Sequence, residues 1–222
     1  MKRVLCLLIL LLLLGGCSSK PTPGWLVVSD QQLEMFKHHF LTGGQPAVAE
    51  RHFRKALEEI KKSGDLALLG KAWLTRIALE TAVLSEMNES EYGIIAQAHR
   101  APENRNYYLF LKGDPTAVDG SLLPAQYRSF LKALKEGDAV KVEKAVAAMA
   151  DDPLSQLIAA GLSIRLHLEN EAILQAAVGT ASRNGWKRAL LVWLERLRTF
   201  YAAAGDAARA AAVRQRIDLI GK

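Results

Sequence analysis

The chain reads as an all-α protein, and three observations carry that reading. Apolar residues recur at spacings of three and four from Leu33 to Ile220, the period of a helix with one buried face. Glycine punctuates the pattern at Gly43-Gly44, Gly64-Asp65, Gly137-Asp138, Asn184-Gly185 and Gly205-Asp206, where helices end and the next ones are capped. The connections between periodic segments are short, which makes successive helices antiparallel neighbours. The expected architecture is a set of antiparallel helical hairpins stacked as a solenoid, in two lobes, residues 30–100 and 123–222, joined by an irregular segment at 101–122.

The first residues follow a different logic. Lys2 and Arg3 are positive, Val4 to Leu14 is an unbroken apolar run rich in leucine, and Gly15-Gly16-Cys17 follows. That is the anatomy of a secretory signal. The run is too short for a membrane span, which needs roughly 20 helical residues. Leu14-Gly15-Gly16-Cys17 resembles the bacterial lipobox. The resemblance implies cleavage before Cys17, acylation of its thiol and amine, and a bilayer as the first partner. Ser18 is unlike the aspartate that holds lipoproteins in the inner membrane. The resemblance therefore implies an outer-membrane, periplasm-facing lipoprotein in a Gram-negative host. Residues 1–16 are then the signal peptide. Residues 17–29, with Ser18, Ser19, Pro21, Thr22, Pro23 and Gly24, form the lipidated N-terminus and a flexible tether. Trp25-Leu26-Val27-Val28 inside it is an apolar patch that packs on the domain or lies against the bilayer.

Export limits what the rest can do. Losing residues 1–16 removes Lys2 and Arg3 from 29 basic side chains, leaving 27 against 23 acidic ones, a balance of +4. The charges are spread along the chain rather than gathered with aromatics on one face, so nucleic acid is not an expected partner. Cys6 leaves with the signal and Cys17 becomes the lipid site, so packing alone must hold the fold.

The helices follow in order. Asp30 suits an N-cap for a helix with the stripe Leu33, Phe36, Phe40. Pro46 fits the first turn of the next, whose inner face is Val48, Ala49, Phe53, Ala56, Leu57, Ile60. Its outer face places Glu50 four before Arg54 and Glu58 four before Lys62, a favourable ion-pair spacing. Asp65 caps a third helix, about Leu66 to Ser85, apolar nearly all round and hence buried on several sides. Glu91 to His99 forms a shorter fourth. Tyr107 to Leu111 reads equally as a strand or a buried helical turn. Beyond it, Asp138, Asp152 and Asn170 cap helices, and Ala159-Ala160-Gly161 invites a close helix neighbour. Trp186, Ala189, Leu190, Trp193, Leu197, Phe200 and Tyr201 give the clearest stripe in the chain. A last helix carries Ala210, Val213, Ile217 and Ile220.

Leu33, Phe36, Phe40, Gly44, Ala49, Phe53, Ala56 and Leu57 fall at positions that resemble the tetratricopeptide repeat. Leu194, Leu197, Tyr201, Gly205-Asp206 and Ala210 repeat the spacing, departing from it at Arg214 and Ile217. Gln126, Ala133 and Gly137-Asp138 match less well. The resemblance implies a degenerate repeat protein that binds an envelope protein or peptide, as an adaptor in outer-membrane assembly or a pilotin-like escort. It also implies a groove lined by Gln31, Glu34, His38 and Leu41, on the side of the first helix opposite its apolar stripe. The joint around Tyr107 and Phe110 is the alternative surface.

Enzyme signatures are not evident. The sequence has no nucleophile elbow, no glycine-rich phosphate loop and no motif for a cofactor. His38 and His52, on helices expected to pair, lack the cysteine or carboxylate that would complete a metal site. A non-catalytic binding protein is the leading expectation. The alternatives are a small-ligand receptor with a pocket near Trp73, Tyr107 and Tyr108, and a cell-wall enzyme with an acidic residue deep in a cleft.

Overall fold

A computed structural model describes residues 22–221. The expected signal peptide, the lipobox-like residues and Cys17 lie outside the described residues. Within them the protein is all-α, with eleven helices. These are α1 (Gly24–Thr42), α2 (Pro46–Lys61), α3 (Leu66–Ala82), α4 (Ser90–Ala98) and α5 (Pro102–Lys112), followed by α6 (Ala125–Glu136), α7 (Ala139–Ala147) and α8 (Pro153–Arg165), and then α9 (Glu171–Arg183), α10 (Lys187–Ala203) and α11 (Ala207–Gly221). Two 3-10 turns, Pro115–Ala117 and Gly120–Leu122, lie between α5 and α6.

The caps form where the side chains permit them. Asp65, Asp138, Asp152 and Asn170 each accept a hydrogen bond from a backbone N–H of the turn they open, which satisfies donors that a helix start leaves free. Gly43 and Gly137 end helices with positive φ, a conformation that a β-carbon makes costly. Asp30 caps nothing. Helix α1 begins six residues before it, at Gly24, with Pro23 at the N-cap position. The tether expected to reach residue 29 is therefore helical from Gly24. Ser29 is buried there, its hydroxyl donating to the Leu26 carbonyl at 2.8 Å.

The joint is also more regular than expected. Tyr107 to Leu111 belongs to α5, which starts at Pro102 and ends at a left-handed Gly113. The two turns after it fold back on α5, where Asn106 is buried. It donates to the Asp119 carbonyl and accepts from the Asp119 N–H, at 2.9 and 2.7 Å. The segment is therefore part of the body of the protein. One continuous apolar core runs from Phe36 to Tyr201, through both expected lobes.

Three hairpins frame that core at its two ends. In α1–α2 the Phe36 and Phe53 rings lie 4.6 Å apart, and Ala49 and Ala56 are buried between the helices. In α2–α3, Phe53 meets Trp73 edge-on at 4.9 Å. Arg76 joins Glu50 of α2 at 2.8 Å to the buried Glu80 at 3.2 Å. Glu50 is thus drawn to Arg76, and Lys62 pairs with Glu59 at 2.7 Å, so neither ion pair expected from the i,i+4 spacing forms. In α10–α11, Leu197 and Tyr201 are buried in α10 while Val213 and Ile217 rest half-buried against it.

Contacts distant in sequence close the stack. Helix α3 packs on α8 and α10 packs on α1. The fully buried Trp193 donates its indole N–H to the Ala82 carbonyl at 2.9 Å, across 111 residues. The Arg188 guanidinium lies 4.1 Å from the centre of the Phe40 ring. These contacts fix the start of α8 and Trp186 beside α1, which creates the cleft described next.

Candidate functional site

Helix α1 carries the four residues expected to line a groove. Glu34 and His38 are exposed, one turn apart, and both border a cleft of about 340 Å³. The opposite wall is Asp152, Pro153 and Leu154 at the start of α8, together with Trp186. Leu41 is only 2% exposed, so it contributes a buried edge rather than a presented side chain. Gln31 is exposed but lies outside the cleft. Lys37, not anticipated from the sequence, completes the α1 wall and donates to Glu34 at 2.5 Å.

The chemistry of the cleft is mixed. A carboxylate, an ammonium and an imidazole stand on one side, with a further carboxylate, Asp152, across from them. Pro153, Leu154 and the half-buried Trp186 supply an apolar wall. Such a surface offers ion pairing and hydrogen bonds at its rim and apolar contact within, the pattern of a recognition patch.

The histidines are arranged in a row rather than around a point. His38 and His39 ring centres are 5.4 Å apart, and His39 stacks on His52 at 5.3 Å with the planes nearly parallel. Nδ1 of His52 lies 2.7 Å from Oε1 of Gln32. As the amide oxygen only accepts, that nitrogen carries the proton. Burial, then the neighbouring His39, Arg51 and Lys55, holds the His52 imidazole below its ordinary range. Thus His52 pairs with Gln32 and His39, not with His38. Among the described residues no cluster of three His, Cys, Asp or Glu side chains is placed to hold a metal ion.

The alternative surface is not available as drawn. Phe110 is 1% exposed and lies in an aromatic cluster, 4.9 Å from Tyr127 and 6.2 Å from Phe130. It is a core residue because Gly113 and the following turns fold over α5. Tyr107 is half-buried at the edge of a separate cleft of about 270 Å³ with Lys71, Leu74, Thr75 and Pro124. Trp73 and Tyr108 are not part of it. Trp73 faces Phe53, and the Tyr108 hydroxyl donates to Glu89 at 2.5 Å. Burial and that carboxylate push the Tyr108 phenol up to about 12. The three aromatics proposed for a ligand pocket thus serve separate places.

Comparison with protein-family profiles, curated proteins and solved structures returned no match. No helix among the described residues is long and apolar enough to cross a membrane. The site's own geometry is therefore what bears on function.

Proposed function

We propose that this chain is an exported lipoprotein, held to the bilayer by acylated Cys17, whose helical domain is a non-catalytic adaptor for another envelope protein. The partner contributes a peptide or a helix to the cleft at Glu34, Lys37, His38 and Trp186. The observation that carries the proposal is the cleft itself. It joins the face of α1 that the tetratricopeptide resemblance marks for binding to an apolar wall more than 110 residues further along the chain. In a Gram-negative host the adaptor faces the periplasm from the outer membrane, in a role of assembly or escort.

Placement of a photo-crosslinking amino acid at His38 tests this reading in the lipidated protein. A discrete adduct from His38, absent when the same group replaces the exposed Leu219 of α11, supports it. Equal adducts from both positions, or none from His38, would count against it.

A further inference from the structure

A second, larger cleft lies elsewhere. It has a volume of about 670 Å³ and is formed by the start of α3, by α4 and by the start of α5. Its floor is apolar: Tyr92 and Ile95 are buried, and Leu66 is 38% exposed beside them. Its rim is basic. Arg100, Arg105 and His99 line it and are exposed, and no Asp or Glu lines it. Among the described residues the side chains of these three groups make no ion pair or hydrogen bond. The nearest acids in sequence, Glu91 and Glu103, lie outside the lining.

The position of this cleft in the bundle gives it meaning. Helices α1 and α2 are antiparallel, as the Phe36–Phe53 and His39–His52 contacts require. So are α2 and α3, from Phe53–Trp73 and Glu50–Arg76. Gly24, Lys61 and Leu66 therefore share one end of the bundle. Asn104 donates to the Ala67 carbonyl at 2.8 Å, which brings the start of α5 to the same end. Cys17 is seven residues before Gly24 and can reach at most about 25 Å from it. The Gly43–Gln45 turn lies at the far end of α1, about 28 Å away along a 19-residue helix. The end nearest the anchor thus carries the basic cleft, the exposed Lys61, and the apolar Val27 and Leu66, which are 42% and 38% exposed. Asp65 is engaged as a cap there and Glu59 is paired with Lys62, while Glu58 and Glu103 are exposed at the same end.

From this placement we infer that the anchor end of the molecule docks on the bilayer, with the Arg100–Arg105 cleft taking the headgroup of an anionic phospholipid. The inference rests on the lipid-anchor reading above. Basic side chains held within a Debye length of an anionic surface are attracted to it, and salt weakens that attraction. Unpaired guanidinium groups match a phosphate diester, and the floor at Leu66 and Ile95 accepts the apolar part of the lipid beneath it. Docking would hold the domain in one orientation and turn the α1–α8 cleft away from the anchor end.

The test uses the mature lipidated protein carrying one new cysteine labelled with a polarity-sensitive fluorophore. With Cys17 acylated and Cys6 removed, the introduced thiol is unique. Ala98→Cys places it beside the cleft and Gln45→Cys at the opposite end, both exposed. Each protein is reconstituted into phosphatidylcholine vesicles with and without phosphatidylglycerol. The expected result is a blue shift at position 98 only, only with phosphatidylglycerol, reversed by salt and lost in the Arg100→Glu, Arg105→Glu background. Circular dichroism of that variant checks its fold. Protein that floats with vesicles but keeps a solvent-like probe at position 98 overturns the docking alone. Protein that fails to float, with a dye-reactive thiol on the parent chain, overturns the anchor and the docking together. Suppression of the shift by inorganic phosphate, beyond that of chloride at equal ionic strength, supports a site for a phosphate headgroup, whereas a blue shift at position 98 produced by inorganic phosphate or an acidic peptide without vesicles, and not increased by phosphatidylglycerol, overturns the membrane reading.

Discussion

The backbone of Gly161 lies against that of Thr81 so closely that a β-carbon on Gly161 would stand 2.3 Å from the Thr81 carbonyl oxygen. This is where α8 crosses α3, the two helices that run through the middle of the core. A substitution here meets backbone, not a side chain that can swing aside. Gly161→Ala should therefore destabilise the protein by about 1–3 kcal/mol, the usual cost of overpacking. That cost exceeds the roughly 1 kcal/mol that alanine gains over glycine in a helix. Gly93 in α4 has open space where a β-carbon would go, so Gly93→Ala should stabilise by about 0.4–1 kcal/mol. Urea unfolding of the two variants should move in opposite directions.

Trp193 ties the same region to the C-terminal helices. Its removal leaves both a cavity and the Ala82 carbonyl without its indole partner. Trp193→Ala should cost about 3–5 kcal/mol. Trp193→Phe fills most of the space but not the hydrogen bond, and should cost about 1–3 kcal/mol. Thermal or urea unfolding checks both values, and an effect below about 1 kcal/mol for the alanine variant would show that the α10 stripe is not buried as described.

Glu89 carries a pH dependence. Partial burial pushes its carboxyl up, but hydrogen bonds from Tyr108 and Lys112 and the charges of Lys112 and Arg165 outweigh that and hold it below the ordinary range. A carboxyl depressed in the folded state contributes stability above its unfolded value, about 4.3, and loses it as the pH falls through the folded value. Wild-type protein should therefore lose more stability between about pH 6 and pH 3 than Glu89→Gln, measured by urea midpoint at each pH. Equal losses would mean that the Tyr108–Glu89–Lys112 contact contributes nothing in solution.

The anchor has its own assay. If Cys17 is acylated, cells supplied with a fatty-acid analogue should label the wild-type protein and leave Cys17→Ala unlabelled. Equal labelling would remove the lipoprotein reading.

Much of the fold was legible because its signals are local. Asp65, Asp138, Asp152 and Asn170 announce helix starts by chemistry that acts within three residues. Structure departs from the sequence pattern where a local signal is outweighed by another. Asp30 has the chemistry of a cap, but α1 starts upstream, at Gly24, with Pro23 at the N-cap position. Tyr107–Leu111 was ambiguous by period alone. Pro102 before it and Gly113 after it bracket a helix, and that pairing was the usable signal. Spacing pairs Glu50 with Arg54, whereas Arg76 reaches it across the hairpin. The cleft was half legible. Helical period places Glu34 and His38 together, but nothing local to α1 reveals that Asp152–Leu154 and Trp186 form the opposite wall. The basic cleft likewise depends on α3, α4 and α5 meeting at one end, which spacing does not encode.

Capture of an envelope partner by the α1–α8 cleft is tested most directly by a paired charge change on α1. Glu34→Arg with His38→Glu alters two exposed side chains and should shift stability by no more than about 0.5 kcal/mol. Both variant and wild type would be purified with their lipid anchor from detergent-solubilised membranes, and co-purifying proteins compared. The expected result is a specific partner with the wild type that is lost with the variant while circular dichroism and unfolding stay the same. Undiminished capture by a normally folded variant would contradict it.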